Sequence, residues 1–245
     1  MSSPLVDPDS PDGLGLAGAP LAPVSQRGSL SRRKVLAAAV ETIDASGLRD
    51  FSMRQVANRL GVESMALYHY VHGRDDLLDG IVEFVIDDLY GDPDVLMETD
   101  DWQDYVVRLA HGVRRLALAH PLVFPLIATR PPAAPWVRPP LRSLRWMESF
   151  LDTLHRCRFS DAGCVAAYRA FSSFLLGHLL LEVSALGADT SPIEQEPPGD
   201  PEATDLSQYP RLRSLESELS QDRSAEEFEE SLENLIERLG SYTRL

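Results

Sequence analysis

The chain has 245 residues, 44% of them hydrophobic, with 38 acidic against 23 basic side chains and a formal net charge of −15. This is enough apolar material for a packed core, and the negative charge excludes a protein that coats nucleic acid by bulk electrostatics. Two cysteines, Cys157 and Cys164, exclude a disulfide framework, and no apolar run reaches the roughly 18 residues of a membrane span.

These features predict a soluble, cytoplasmic protein without a membrane partner. Residues 1–28 are rich in Pro, Gly, Ser and Asp and have no periodicity. They lack the basic start and apolar core of a signal peptide and predict a disordered tail. Helical periodicity then begins and hardly stops, so the fold class is all-α. Residues 27–74 hold eight basic and four acidic side chains, a local +4, leaving −19 for the rest. A basic segment in an acidic protein suggests a local anion-binding face.

The first helix is predicted over about 30–46, with Val35, Leu36, Ala39, Val40 and Ile43 on one face and Gly47 closing it. The second opens on the capping box "SMRQ" at Ser52, and Met53, Val56, Ala57 and Leu60 form its buried side. Gly61 permits a tight turn. A third helix, about 64–70, is too short to be stable alone, since an isolated helix needs about 12–15 residues. The fourth opens at "GRDDLL", with a long stripe from Leu77 to Leu89. A capped helix, a glycine turn and a short docked helix make a helix-turn-helix, whose second helix enters the DNA major groove. Leu67 and Val71 anchor that short helix, leaving its other side free.

Beyond a Gly/Asp/Pro break at about 91–100, a fifth helix runs from Trp102 to before Pro121. A short sixth is predicted at 121–129, a seventh at 141–157 and an eighth from Ser160 to about Gly187. A proline-rich loop, 130–140, follows the sixth. An acidic loop, 188–210, is predicted to be mobile. A weak helix follows at 211–221, then a last helix opened by a capping box at "SAEE" and striped by Phe228, Leu232, Leu235, Ile236 and Leu239. No nucleophile elbow, HExxH or carboxylate–x–x–His pair occurs, so the sequence predicts no catalytic residues, no metal site and no cofactor. Tyr90, Arg108, Phe124, Trp136, Trp146, Phe150, Phe174 and His178 combine bulk with a few polar groups, the composition of a pocket between helices as well as of an ordinary core.

Three tracts, "FSMRQVANRLGV", "ALYHYV" and "RDDLL", with the Ala-rich first helix, resemble the tetracycline-repressor (TetR) family of transcriptional regulators over about residues 30–90. "HPLVFPLIATRP", "RFSDAGCVAAYRAFSSFLLGHLLLE" and "FEESLENLIERL" resemble the ligand-binding half of the tetracycline-repressor class. The resemblance implies a helix-turn-helix domain over 29–75, the fourth helix (74–90) as a linker, and a ligand-binding and dimerisation domain over 91–245. It implies a homodimer on a double-stranded DNA operator, with a small-molecule effector. In the DNA-binding half, Ser52, Arg54, Tyr68 and Arg74 suit phosphate contacts, while Ser64, Met65, Ala66 and His69 sit where base edges are read. Tyr68 taken alone reads more readily as a core tyrosine with a wet hydroxyl. Only the ordered set carries the DNA reading.

Carried over by position, the ligand contacts fall at Tyr90, Arg108, Thr129, Arg130, Met147, Phe150 and Leu151, with Phe174 and His178 added from the aromatic group. Leu126 stands where that class has a metal-binding histidine, and Leu181, beside Glu182, where it has a glutamate. These departures point away from a metal chelate and toward a largely apolar ligand. Stripes on the eighth helix (Val165, Tyr168, Phe171, Phe174, Leu175) and the last helix predict a four-helix dimer seam. Two other readings stay open: a regulator governed by a protein partner through the acidic loop, and a helical-bundle enzyme or carrier with a vestigial head.

Overall fold

The computed structural model describes residues 30–97, 99–130, 143–190 and 206–244, and among them it contains helices and no strand. The expected tail, most of the proline-rich loop with Trp136, and most of the acidic loop lie outside the described residues. Eleven helices follow in order: α1 (Arg32–Ser46), α2 (Met53–Leu60), α3 (Ser64–Leu67), α4 (Arg74–Leu89), α5 (Pro93–Leu96), α6 (Trp102–Ala119), α7 (Phe124–Thr129), α8 (Leu144–Arg156), α9 (Asp161–Ala185), α10 (Pro210–Leu219) and α11 (Ser224–Gly240). A 3₁₀ turn over Ser241–Arg244 closes them.

Each boundary has a local cause. The Ser31 and Ser52 hydroxyls accept the amides of Lys34 and Gln55 at the starts of α1 and α2. Gly61 ends α2 at φ +66°, the left-handed region that side chains resist. α5 was not expected; Pro93 at its first position and the Asp92 carboxylate on the Asp94 amide start it inside the anticipated break. α3 is shorter than expected, because residues 68–70 form turns instead of a second helical turn. The expected capping box of the last helix is replaced. Ser224 is already helical, and Asp222 accepts both its amide (3.1 Å) and its hydroxyl (2.6 Å).

Helices α1 to α4 form the head, α1 packing on both α2 and α4. A Cβ on Gly80 would lie 2.7 Å from a Leu36 methyl, which is how closely α4 approaches α1. α4 continues into the larger half and packs on α6 and α7. There α9 is the central helix, touching α6, α7, α8 and α11. It is long and apolar enough to span a bilayer by length and composition, but Phe171, Leu175, Leu179 and Val183 are buried against the neighbouring helices. An aromatic core fills the space between α8 and α9: Phe150 stacks on Trp146 (5.6 Å between ring centroids) and on Phe171 (5.3 Å).

Candidate nucleic-acid interface and internal cavity

α3 survives as a helix because its neighbours hold it. Leu67 is fully buried and Val71 nearly so. The opposite side projects: Met65 is 70% and Tyr68 48% exposed, and His69 is exposed beside them. Ser64 and Ala66 are half-buried on the same short element. Arg54 on α2 and Arg74 at the start of α4 are both exposed, and the Arg74 guanidinium lies 5.8 Å from the Phe51 ring centroid. Ser52 is spent mainly on its cap: its hydroxyl accepts from the Gln55 amide and lies 2.8 Å from the Gln55 side-chain oxygen.

The turn after α3 is held by a residue that the sequence marks only as part of a basic run. Arg32 grips Asp76 with two nitrogens (2.9 and 3.2 Å) and donates to the Tyr70 carbonyl at 2.7 Å. Asp76 also accepts the His72 amide at 2.8 Å. The Arg32 hydrogen bond and the His72 amide hold the Asp76 carboxyl well below the usual carboxylate range. One carboxylate thus ties α1, the turn after α3 and the first turn of α4.

In the larger half an apolar cavity of about 40 Å³ lies between α4, α6, α7, α8 and α9. Ile86, Leu89, Phe124, Ile127, Trp146 and Leu175 form much of its wall, and among the described residues Ser143 and Ser172 bring hydroxyls to it. The Trp146 indole nitrogen is buried without a hydrogen-bond partner.

The residues expected at the ligand site fall around this cavity, not on its wall. Leu126, Met147 and Phe150 are buried beside wall residues, and Leu151 is half-buried. Thr129 is exposed, its hydroxyl returned to the Pro125 carbonyl at 2.7 Å. Arg108 is drawn to Asp104 and the Asp94 carbonyl. Tyr90 carries the Arg145 guanidinium 3.9 Å from its ring centroid. Phe174 and His178 pack with Phe228 on the α9–α11 side. Arg130 turns to α4, where it meets Asp79 and Asp75. Of the wall residues, Phe124 and Trp146 belong to the bulky set that the sequence marks, and Leu89, Ile127 and Leu175 stand one position from Tyr90, Leu126 and Phe174; the others carry no sequence signal of their own.

Glu182 is buried and paired with Arg114 at 2.6 Å, and among the described residues no three His, Cys, Asp or Glu side chains cluster as metal ligands. Cys157 and Cys164 are free thiols whose pKa burial pushes up. The stripe expected at the dimer seam divides between two faces. Tyr168, Phe171, Leu175, Leu232, Leu235 and Leu239 are buried within one chain, because α9 uses that stripe against its own neighbours. What α9 and α11 leave open is a groove of about 770 Å³ bordered by Arg169, Ser173, Phe174, Asn234 and Arg238, with Val165 exposed nearby.

Residues 35–81 match the family of bacterial regulatory proteins named tetR, and residues 94–241 match the tetracyclin repressor-like C-terminal domain. The chain belongs to the TetR family. It is 32% identical over 154 residues to an HTH-type transcriptional regulator of Saccharopolyspora erythraea, covering 62% of this chain and 61% of that one. The match thus spans less than two thirds of that relative's length. It is 30% identical over 162 residues to the class C tetracycline repressor of Escherichia coli, covering 65% of this chain and 69% of that repressor. A possible TetR family regulator from Streptomyces coelicolor superposes with a TM-score of 0.67 at 26% identity, over 86% of this chain and 99% of that one. An all-α TetR fold, with a helix-turn-helix head and a larger C-terminal domain, follows from both family matches and from the helices themselves.

Proposed function

We propose that this protein is a homodimeric, cytoplasmic transcriptional repressor that leaves a palindromic operator when a small, largely apolar molecule enters its C-terminal domain. The observation that carries the reading is α3. It is anchored by Leu67 and Val71 and extends Met65, Tyr68 and His69 into solvent, where a buried-core role for Tyr68 no longer accounts for it. Ser64, Met65, Ala66 and His69 would then face base edges, and Ser52, Arg54, Tyr68 and Arg74 phosphates. Ala66 offers only a methyl group, which suits contact with a thymine methyl. The open groove between α9 and α11 is the surface for a second protomer, since two-fold operators require two heads.

Release follows from the size of the cavity. Ligand pockets run to about 300–1,000 Å³, so a molecule entering a cavity of about 40 Å³ must move its walls. Two wall residues, Ile86 and Leu89, belong to α4, the helix that also carries the head. A ligand that binds the displaced arrangement better than the resting one shifts the heads out of register with successive major grooves. Tyr90, Arg108, Leu126, Thr129, Met147, Phe150, Leu151, Phe174 and His178 would then be the residues that the displaced walls offer to the ligand.

Selection from a random duplex library tests the DNA claim. The expected product is a two-fold-symmetric consensus with half-sites about one helical turn apart; an asymmetric or absent consensus contradicts it. A second reading has one observation behind it: so small a cavity also suits a regulator governed by a protein partner. Thermal shift with a panel of neutral aromatic compounds separates the two, since only a ligand-responsive cavity raises the melting temperature.

A further inference from the structure

Among the described residues, ion pairs at three places join the head to the larger half. His120, at the end of α6, lies 2.7 Å from Asp44 on α1. Arg49, after α1, lies 2.5 Å from Asp189, beyond α9. Arg130, the residue after α7, lies 2.7 Å from Asp79 through Nε and 3.2 Å from Asp75 through Nη2, which also donates to the Asp75 carbonyl. The Arg130 and Asp79 side chains are 20% and 29% exposed, whereas both partners of the Arg49 pair are more than 40% exposed, so solvent screens the Arg130–Asp79 pair less, although the Asp75 arm is open to water.

Its position matters more than its strength. The Arg130 amide closes on the Leu126 carbonyl, which fixes the residue to the last turn of α7. Phe124 and Ile127 of the same short helix stand in the cavity wall. On α4, Ile86 and Leu89 stand in that wall seven and ten residues beyond Asp79, about 10 and 15 Å along the helix axis. The two helices are therefore clamped near the head and face each other across the cavity further on.

We propose that Arg130 is the coupling residue of this regulator. A molecule that wedges Ile86 and Leu89 away from Phe124 and Ile127 turns α4 about the Arg130 clamp, and the head swings with it. Without the clamp, α4 and α7 part along their whole length. The head then stays where the His120–Asp44 and Arg49–Asp189 pairs hold it. This inference rests on reading the cavity as the effector site, and it gives Arg130 a role between the two sites in place of direct ligand contact.

The test needs no ligand. Leu116→Phe on α6 or Leu175→Phe on α9 adds bulk at the cavity wall without altering a residue of α4 or α7. Spin labels at Asn58→Cys on α2 and Glu148→Cys on α8, in a Cys157→Ser, Cys164→Ala background diluted with unlabelled protein, report the head-to-body distance within one chain. Each filling substitution is expected to shift that distance on the order of 2 Å. Arg130→Gln abolishes the shift, and so does Asp79→Asn, which opens the clamp from the other side should the arginine variant fold poorly. A shift that persists undiminished in both clamp variants overturns the proposal, as does a head that neither filler moves with the clamp intact. Operator binding measured on the same proteins separates the two readings: a clamp-dependent shift without any DNA binding upholds the coupling and refutes the DNA-reading head.

Discussion

Arg114 and Glu182 form a two-pronged ion pair across α6 and α9, with Nε 3.2 and 3.1 Å from the two carboxylate oxygens and Nη2 2.6 Å from one of them. The Glu182 side chain is 7% exposed, and the guanidinium also lies 5.0 Å from the Phe228 ring centroid. The pair therefore joins α6, α9 and α11 at one point. Removing one partner strands the other charge in a poorly hydrated site. Glu182→Leu is expected to lower stability by about 3 kcal/mol in urea denaturation. The double variant Arg114→Met, Glu182→Leu should recover most of that loss. Equal losses in the single and double variants would mean that the pair contributes only its packing.

The Asp76 junction makes an acid-side prediction. Its carboxyl is held below its unfolded value of about 3.9 by Arg32 and by the His72 amide. A depressed folded pKa gives stability that is present above the unfolded pKa and lost as pH falls toward and through the folded one. Asp76→Asn should remove this component, so the wild-type advantage in melting temperature narrows as pH drops below about 4. An advantage that stays constant down to pH 2 would contradict it.

On the alkaline side, burial pushes Tyr105 up to about 12. Its unfolded value is about 10. A raised folded pKa gives stability that is full below the unfolded value and lost as pH rises through the folded one. Tyr105→Phe is therefore expected to flatten the fall in stability between pH 10 and 12. Ultraviolet titration should find one phenol fewer ionising late in the variant.

On the DNA face, Tyr68→Ala should leave the melting temperature nearly unchanged, because the side chain is half exposed. Operator affinity should fall about 10-fold or more, the worth of a hydrogen bond to a charged phosphate. Arg54→Ala should weaken binding evenly across operator variants and reduce the salt slope by about 1. A stability loss as large as the affinity loss for Tyr68→Ala would make it a structural residue after all.

The head was legible because its signals are local. Ser52, Gly61, and the buried pair Leu67 and Val71 each act within a few residues, so spacing alone placed α2, the turn and α3. Arg32 was not legible in its role, because its partners, Asp76 and the Tyr70 carbonyl, lie 44 and 38 residues away. The cavity was legible only in outline. Met147 carries the family pattern, yet it is Trp146, marked in the sequence only by its bulk, that reaches the wall, since one position on a helix turns a side chain by about 100°. The ion pairs of Arg130 were not legible either. Its sequence context is that of a ligand contact, and only the folded chain brings Asp75 and Asp79 within its reach.

The stripe on α9 was legible only in part, for a different reason. An apolar face predicts that something covers it, but not whether the cover comes from the same chain or a second one. Here α6, α7, α8 and α11 cover Phe171, Leu175 and Leu179. The side left open carries Arg169, Ser173 and the exposed Val165. If that side meets a second protomer, Val165→Glu should raise the dimer dissociation constant at least 10-fold in sedimentation equilibrium while leaving each chain folded. An unchanged association would place the interface elsewhere.

The measurement that tests the account most directly is a footprint of the purified protein on DNA from upstream of its own gene, taken at several salt concentrations with wild type and Tyr68→Ala side by side. The account predicts a tight, two-fold-symmetric footprint whose affinity falls steeply with salt and which the variant loses. Weak, sequence-blind binding that is the same in both proteins would contradict it.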